Sequence, residues 1–295
     1  MNKKSLLLGN GINRVLSDKY SSFSLLEEIC KGVINDFDNI DKMSISFQLI
    51  FESIFYEFEK KGKGKELMKK IEGCLKQLNK LPNDLLLILK DKIGIFDSII
   101  TTNYDYAIEF NCFNDTRIKT AAISRNQGYS YKDLVYHIHG DFGKNHSICF
   151  GRINYQKFFK SCTSHIKNNL LDYNTLEELC NALPIHLQKF LTNDIDIVGL
   201  DLDSSELIVW YMLTLRAFII NCKKDIKISN AIRFHHALQL EENENKEDAV
   251  KLQESIRNFY KKMNVIYDYH IINYHKSKDY SDEYKKYYRR VLGSL

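Results

Sequence analysis

The chain has 295 residues, 44% of them hydrophobic, which is enough for a full-sized core in one large domain or two modest ones and argues against a disordered chain. Its 42 basic and 38 acidic residues leave a net charge of only +4, so no overall field favours nucleic acid or an anionic membrane as a partner. No apolar stretch approaches the roughly 20 residues of a transmembrane helix, and the start shows no signal-peptide cleavage site, so we expect a cytoplasmic protein.

The seven cysteines are scattered along the chain, and no two of them form a C-x-x-C pair. Most are expected to be buried, reduced side chains. The spacing argues against a structural zinc ion, because zinc modules bring their thiolates together in such pairs.

The first part of the chain reads as one strand followed by a long helical block. Lys4–Leu8 is a short apolar run that ends at a glycine, which predicts a buried strand before a helix that begins near Ile12. Helical spacing of apolar residues then recurs in Leu25–Ile34, Phe47–Glu59 and Leu67–Leu81. A block at about residues 36–94 is too long for a simple crossover, so we predict a helical module inserted into a single domain that spans residues 1–295.

The rest of the chain alternates strands with helices. A second strand is predicted at Phe96–Thr101, with a helix through Tyr106–Phe110. Further strands are predicted at Ile118–Ile123, Val135–His139, Ser147–Phe150, Ile195–Leu200, Lys227–Phe234 and Val265–Ile272. Helices are predicted at Tyr155–Leu191, with breaks near residues 172–174 and Pro184, at Ser205–Ile220 and at Glu241–Lys262. This alternation predicts a Rossmann-like α/β fold, in which a mostly parallel sheet carries helices on both faces.

Four segments place polar residues at the point where an apolar strand gives way to a loop or helix. They are LLLGNGINR (6–14), SIITTNYDYAIE (98–109), VYHIHGD (135–141) and DIVGLDLDSSE (196–206). Ligands of open α/β sheets bind outside the carboxyl ends of the strands, so these residues are expected to meet in one crevice. Their glycines, asparagine, aspartate and histidine suit a nucleotide whose glycosidic bond is attacked, and they suit neither a metal cage nor a Ser/His/Asp triad.

The glycine loop follows the first strand. Gly9 and Gly11 lack a Cβ, which lets backbone approach a pyrophosphate while helix N-terminal amides point at it. Arg14 is a candidate charge partner for that anion. Alone the motif is weak, because Arg14 stands where the dehydrogenase fingerprint has its third glycine. The next strand ends in TTNYD rather than in the acid that a dehydrogenase needs for the adenosine ribose.

Two side chains after the second strand have suitable hydrogen-bonding chemistry. Asn103 can donate and accept at once, so it can hold a ribose hydroxyl or a water beneath an anomeric carbon. Asp105 can accept from a carboxamide NH2 group. An Asx-type turn that starts the next helix explains Asp105 equally well from its own segment.

Two histidines lie near the end of the third segment. His137 and His139 are two apart on a predicted strand, so both are expected to point to the same side. A neutral imidazole at His139, with Gly140 leaving room for substrate, can take a proton from a ribose hydroxyl or from water. A lone histidine is more often structural, and we expect that of His137. The place of His139 among other polar strand ends favours a functional role.

The four segments together resemble the bacterial sirtuin-like family, in the branch associated with NAD cleavage in phage defence. GNG with the following Ile12-Asn13 looks like its Gly-Ala-Gly-Ile-Ser loop, TTNYD like its Thr-Gln-Asn-Ile-Asp segment and HIHG like its catalytic His-Gly. VGLDLDSSE is similar to its late Gly-x-Ser-Leu strand end near the adenosine half, and FGRINY (150–155) also looks familiar from that branch. The motifs follow the family's order over about residues 4–220.

The resemblance implies two catalytic residues: Asn103, which holds a water or ribose hydroxyl, and His139, the general base. With Arg14 added from its position, the expected nucleotide contacts are Gly9, Gly11, Asn13, Arg14, Asp105, Gly199, Ser204 and Glu206. Among these, Asp105 would recognise the carboxamide, and the last three residues would lie near the adenosine half. Asp201 departs from the family pattern, because an acid stands there in place of a small hydroxyl residue and disfavours a nearby phosphate.

The resemblance also implies a reaction. Protein-deacylating sirtuins carry a zinc module held by two C-x-x-C pairs, and this sequence has neither pair. We therefore predict an NAD+ hydrolase that cleaves the nicotinamide–ribose bond through an oxocarbenium-like state, with NAD as substrate, water as acceptor and no metal. Two alternatives are a binding module that senses NAD or ADP-ribose without turnover and a zinc-free NAD-dependent protein deacylase.

An unrestrained NAD hydrolase would harm its own cell, so we expect a gated effector of antiviral defence by abortive infection. We expect no separate sensor domain after the sheet, which suggests gating by assembly as a homo-oligomer, by a regulatory protein partner or by a phage-derived trigger. The tail at Tyr280–Val291 interleaves tyrosines with basic residues, and these aromatics serve either an oligomer interface or the core. No nucleic acid or membrane partner is predicted.

Overall fold

Six parallel strands form one sheet in the part of the chain that the structure describes. The computed structural model describes residues 3–15, 22–30, 46–77, 83–112, 135–140, 149–166, 170–202, 206–223, 225–241, 246–274 and 281–295. The strands are β1 (Lys4–Leu8), β2 (Ser98–Thr101), β3 (Val135–His137), β4 (Asp194–Val198), β5 (Ile232–Glu241) and β6 (Val265–Tyr274). Their order is β3-β2-β1-β4-β5-β6, and each neighbouring pair is parallel. This is the order of a doubly wound Rossmann sheet, whose topological switch point lies between β1 and β4.

The register of the sheet brings the ends of four strands to one level. Leu8, at the end of β1, pairs with Thr101 of β2 and with Val198 of β4. Thr101 pairs in turn with His137 of β3. The chain therefore leaves these four strands side by side at one edge of the sheet, and that edge includes the switch point where ligands of such sheets bind.

Helices cover both faces of this sheet. The α-helices within the described ranges are α1 (Ser22–Cys30), α2 (Phe47–Lys60), α3 (Gly64–Gln77), α4 (Asn83–Ile93), α5 (Ala107–Cys112), α6 (Arg152–Thr163), α7 (Leu176–Asn181), α8 (Ile185–Thr192), α9 (Leu207–Cys222), α10 (Lys246–Lys262) and α11 (Ser281–Ser294). Within the same ranges, two 3₁₀ helices lie at Asn10–Val15 and Leu170–Asp172. None of the helices in these ranges is both long enough and apolar enough to cross a bilayer.

Each face of the sheet has its own hydrophobic core. On one face, Leu7 of β1 belongs to a core that includes Met212 of α9. On the other face, Leu6 and Leu8 belong to a core that includes Tyr288 of α11. Successive residues of β1 thus enter opposite cores, which explains why this strand is a continuous apolar run in the sequence.

Helices α1, α2 and α3 surround a third core. Its buried members include Leu26 of α1, Ile54 of α2 and Leu67 of α3, together with Phe150 from the segment before α6. Helix α4 belongs instead to the core beneath α11, through Leu89. The cluster therefore includes α1, which ends before residue 36, and leaves out α4, which ends before residue 94. The single domain with an inserted module at 36–94 stays a prediction.

The predicted Rossmann-like α/β fold is confirmed, and β1 has the predicted bounds. The other strands differ from prediction mainly at their ends. The largest difference is in β5, which begins at Ile232 and continues to Glu241 instead of running from Lys227 to Phe234. Its start is delayed because the buried Asn230 side chain bonds other segments, donating to Phe190 O (3.0 Å) and accepting from Arg216 (3.0 Å).

Several smaller predictions also change. The helix predicted from Ile12 is the 3₁₀ helix that begins at Asn10, and the helix predicted from Glu241 begins at Lys246 because Glu241 still belongs to β5. The predicted strand at 118–123 lies outside the described residues. Of the brief strand predicted at 147–150, Cys149 and Phe150 are described and do not form a strand.

The tyrosines of the tail lie in the core of the chain. Tyr284, Tyr287 and Tyr288 project from α11, and each is at most 4% exposed. They pack against the sheet, as the core explanation of these aromatics requires. These three side chains are therefore not available to an oligomer interface, and the homo-oligomer stays a prediction.

Gly199, directly after β4, provides a test of this packing. Its φ is +68°, and a Cβ there would lie 2.0 Å from the Tyr288 hydroxyl oxygen. We expect Gly199→Ala to lower the free energy of unfolding, measured in urea, by more than the ~1–2 kcal/mol of a left-handed backbone. Gly62→Ala is the matched control, because Gly62 has the same φ with nothing within 4 Å of its Cβ position. An equal loss in both variants would contradict a restrictive contact with Tyr288.

Candidate active site

The glycine loop packs against the segment that follows β4. The backbone N–H of Gly9 donates to Val198 O (2.9 Å), and that of Gly11 donates to Gly199 O (2.8 Å). A Cβ would lie 2.4 Å from Gly199 O at Gly9 and 2.7 Å from it at Gly11, so neither position has room for a side chain. The close approach of two backbone segments is thus a structural reason for both glycines, and their contacts with a pyrophosphate stay a prediction.

A buried hydrogen bond joins the loop after β1 to the loop after β2. Asn13 Nδ2 donates to Asp105 Oδ2 (2.8 Å), and Asp105 Oδ1 accepts from the backbone N–H of Ala107 (3.0 Å) at the start of α5. The second bond is the Asx-type turn weighed for Asp105. Burial raises the pKa of Asp105, while its bonds with Ala107 and Asn13 oppose that rise. Both carboxylate oxygens therefore have protein partners, and recognition of a carboxamide by Asp105 stays a prediction.

Asn103 is held by its backbone, and its side-chain oxygen has no partner among the described residues. Its N–H donates to Thr101 Oγ1 (3.1 Å), and its carbonyl oxygen bonds His137 Nδ1 (2.8 Å). The residue is 4% exposed, and among the described residues no group hydrogen-bonds its Oδ1 atom. An unsatisfied buried acceptor costs about 1–3 kcal/mol. Such a group in a native structure calls for an explanation, and an ordered water or a ligand is one.

His137 anchors Asn103 and is itself held by a buried contact with Glu109. Its Nε2 lies 2.6 Å from Glu109 Oε1 on α5, and the two side chains are 1% and 5% exposed. The Asn103 carbonyl oxygen can only accept, so Nδ1 donates to it; when Glu109 is ionised, Nε2 donates as well and the ring is the charged imidazolium. His137 therefore has the structural role expected of it, because it holds the backbone of the neighbouring strand end.

His139 follows β3 in a turn and is 4% exposed. Its Nε2 lies 2.8 Å from Tyr155 Oη on α6 and 3.3 Å from Glu206 Oε2. The ring also bonds the backbone of Thr102. Burial lowers the pKa of His139 to about 3, against a smaller rise from the Thr102 bond. Burial thus favours the neutral ring, which is the form that can take up a proton.

The two histidines do not share one strand as predicted. The strand ends at His137, and His139 lies in the turn beyond it. Strand alternation therefore does not fix the direction of the His139 side chain, and the two rings have different partners. Gly140 completes the turn with a φ of +81°, a conformation that favours glycine.

An aromatic stack joins the cluster of α1–α3 to this histidine. The Tyr104 ring lies 6.2 Å from the His139 ring and 4.3 Å from the Phe150 ring. Phe150 in turn stacks on Phe51 of α2 at 5.1 Å. Tyr104 Oη donates to Cys149 O (3.2 Å), and the Cys149 N–H donates to His139 O (2.9 Å). The helical cluster therefore forms one wall of the site.

Direct contacts join two pairs of the predicted site residues, Asn13 with Asp105 and His139 with Glu206, and Asn103 follows Thr102, whose backbone bonds His139. Gly9, Gly11 and Gly199 form the neighbouring backbone contact. Ser204 and the side chain of Arg14 lie outside the described part of the chain. Asp201 is exposed, and its charge acts on His236 of β5 and Tyr260 of α10. Within the described residues, no group of three or more His, Cys, Asp or Glu side chains could hold a metal ion.

Sequence reasoning assigned no role to three residues that the site contains. Tyr155 lies in the FGRINY segment, so its motif was visible but its contact with His139 was not. Tyr104 stands inside TTNYD between two candidate residues. Glu109 pairs with His137 from 28 positions away, and no local pattern announces such a pair.

The buried His137–Glu109 pair predicts a large effect of a small substitution. Glu109→Gln leaves the imidazolium without its carboxylate, so we expect the free energy of unfolding to fall by roughly 3–5 kcal/mol, measured by urea denaturation. Glu57→Gln is the matched control, because its carboxylate also lies 2.6 Å from a cation, Lys60, but on the surface. We expect no measurable loss there. Equal stability of Glu109→Gln and the parent chain would contradict a charged pair.

Comparison with known proteins adds one match. Residues 97–187 match the family model described as SIR2-like domain, and no curated protein matches the chain. The matched range runs from the residue before β2 into α8 and includes Asn103, Asp105, His139 and Tyr155. It leaves out the glycine loop and Glu206. The match supports a sirtuin-like family for this chain, which suggests an NAD-dependent enzyme.

Proposed function

We propose that the chain is an NAD+ hydrolase that cleaves the bond between nicotinamide and ribose to give nicotinamide and ADP-ribose. One observation supports this most strongly. A buried ring that burial keeps neutral, His139, bonds the backbone of Thr102, and the next residue, Asn103, has a buried carboxamide oxygen without a hydrogen-bond partner in the described chain. The proton acceptor, His139, thus bonds the residue next to Asn103, whose carboxamide oxygen is the unused acceptor.

These two groups fit the attack of water on a ribosyl carbon. Cleavage of a glycosidic bond passes through an oxocarbenium-like state, so placing the nucleophile and supporting positive charge contribute most of the acceleration. Asn103 Oδ1 accepts a hydrogen from the water or from a ribose hydroxyl and so orients it. His139 takes the proton, directly or through the ribose. Asn13 Oδ1, which also lacks a partner among the described residues, is a second acceptor for a sugar hydroxyl.

The burial of the site favours a gated enzyme. Asn103, Asp105 and His139 are 3–4% exposed, so a substrate reaches them only after neighbouring groups move. An event that favours the open conformation would switch the activity on. We propose that assembly of copies, a regulatory protein or a phage-derived trigger supplies this event, and that the chain serves antiviral defence by abortive infection.

Nicotinamide release tests the proposal. The purified chain should convert NAD+ to equal amounts of nicotinamide and ADP-ribose without an acylated peptide, measured by chromatography. His139→Ala and Asn103→Ala should each lower the rate by about 10²- to 10⁴-fold while the melting temperature stays near that of the parent chain. His186→Asn is the matched control, since His186 is equally buried, its pKa is lowered by burial to about 4, and it belongs to α8.

Three outcomes would contradict the proposal. Turnover at the parent rate in both variants would remove His139 and Asn103 from the reaction. Stoichiometric binding of NAD+ with no nicotinamide release would favour the sensing module. Release that occurs only with an acyl-lysine peptide would favour the deacylase.

A further inference from the structure

The carboxylate of Glu206 contacts His139 from outside the segment that matches the family model. Its Oε2 lies 3.3 Å from His139 Nε2, and the two side chains are 14% and 5% exposed. Among the described residues it holds the one carboxylate in contact with this ring. The family resemblance implies a place for Glu206 at the adenosine half of a nucleotide, whereas its position beside the imidazole indicates a role in proton transfer.

From its position in the chain, Glu206 could equally cap the first turn of α9, but its side chain does not do so. Glu206 is the residue immediately before α9, where an acidic side chain normally accepts from the free N–H groups of the first turn. Its side chain makes no capping hydrogen bond. The carboxylate is directed to His139 instead, while the positive end of the α9 dipole still favours its ionised form.

The other titratable groups around this ring carry no charge to offset an imidazolium. Tyr104, Cys149 and Tyr155 face the same space, and burial raises the pKa of each above its ordinary value. They are therefore neutral at pH 7. Glu206 is the group that remains to offset a positive charge on His139.

A buried imidazole without such a carboxylate would be a poor base. Burial, against a smaller rise from the Thr102 bond, lowers the pKa of His139 to about 3, so a proton taken from substrate is held weakly until a charged group supports the imidazolium. A carboxylate in contact acts in the opposite direction, because it stabilises the charged ring. The resting ring accepts from the Tyr155 hydroxyl, which lies 2.8 Å from the same nitrogen.

We propose that Glu206 makes His139 an effective base by pairing with the imidazolium that forms when His139 takes the proton. The inference rests on the proposed hydrolysis. In that step the water O–H bond breaks as the His139 N–H bond forms, and the water oxygen bonds the ribosyl carbon. The glycosidic C–N bond breaks with its electron pair going to nicotinamide, and the imidazolium then releases its proton to solvent. Glu206 acts only through His139, as a positioning residue for that proton.

The test compares Glu206→Gln and Glu206→Asp with the parent chain. Gln keeps the size of the side chain and removes its charge, so the pKa of His139 should fall. The acidic limb of the pH–rate profile should therefore shift to lower pH by about one unit or more. The kcat should drop about tenfold or more, with little change in KM. Asp keeps the charge, so Glu206→Asp should restore part of the parent kcat and part of the parent position of the acidic limb. Glu66→Gln, a surface carboxylate paired with Lys63, is the control.

A titration of His139 by NMR provides a readout that does not need turnover. Its midpoint should fall in Glu206→Gln and lie nearer the parent value in Glu206→Asp, with circular dichroism confirming the fold of each. A midpoint and an acidic limb that stay in place in Glu206→Gln would overturn the inference. If the parent chain released no nicotinamide while the midpoint still moved, the hydrolase proposal would fail and the pairing of Glu206 with His139 would stand.

Discussion

The parallel pairing of β1 with both of its neighbours is the constraint on which the site depends. Leu8 pairs with Thr101 on one side and with Val198 on the other, so the chain leaves three strands at one level. The glycine loop, the TTNYD segment and the segment after β4 must then share one edge of the sheet. A slip of one residue in either pair would turn each side chain to the opposite face.

Burial then determines how these polar residues are used. Most of them bond each other: Asn13 bonds Asp105, His137 bonds Glu109, and His139 bonds Tyr155. These bonds fix backbone positions on neighbouring strand ends. Two asparagine oxygens without a partner among the described residues, Asn13 Oδ1 and Asn103 Oδ1, can be satisfied by the hydroxyl groups of a sugar. The polar groups of the site are thus mostly bonded to one another, and the two asparagine oxygens are available to a ligand within the described part of the chain.

The sequence was most informative where the physics is local. A strand that is buried on both faces is a continuous apolar run, so β1 could be predicted to the residue, and the polar residues that follow it could be assigned to the sheet edge. The chemistry of Asn103 and His139 could also be predicted, because each follows such a run. Tertiary hydrogen bonds could not be predicted. The start of β5 depends on Asn230 bonding Phe190 and Arg216, which no window of sequence contains.

The partners of the two histidines show the same limit. Glu109 has no role predicted from the sequence, and Glu206 is predicted near the adenosine half of a nucleotide rather than beside a histidine. Only the fold shows that each lies against an imidazole. The glycines of the first loop were read as room for a phosphate, whereas the fold shows that they also make room for the Gly199 backbone. Sequence pattern therefore identified the edge of the sheet and several of its residues, and the structure supplied the pairing among them.

A structure of the chain with bound NAD+ or ADP-ribose tests the central claim most directly, since that claim is that four strand ends surround one nucleotide. The account predicts the nicotinamide-side ribose within hydrogen-bonding distance of His139 and of Asn103 Oδ1, with the pyrophosphate near Gly9 and Gly11. A nucleotide bound elsewhere, or bound at this edge with its ribose away from both side chains, would contradict it.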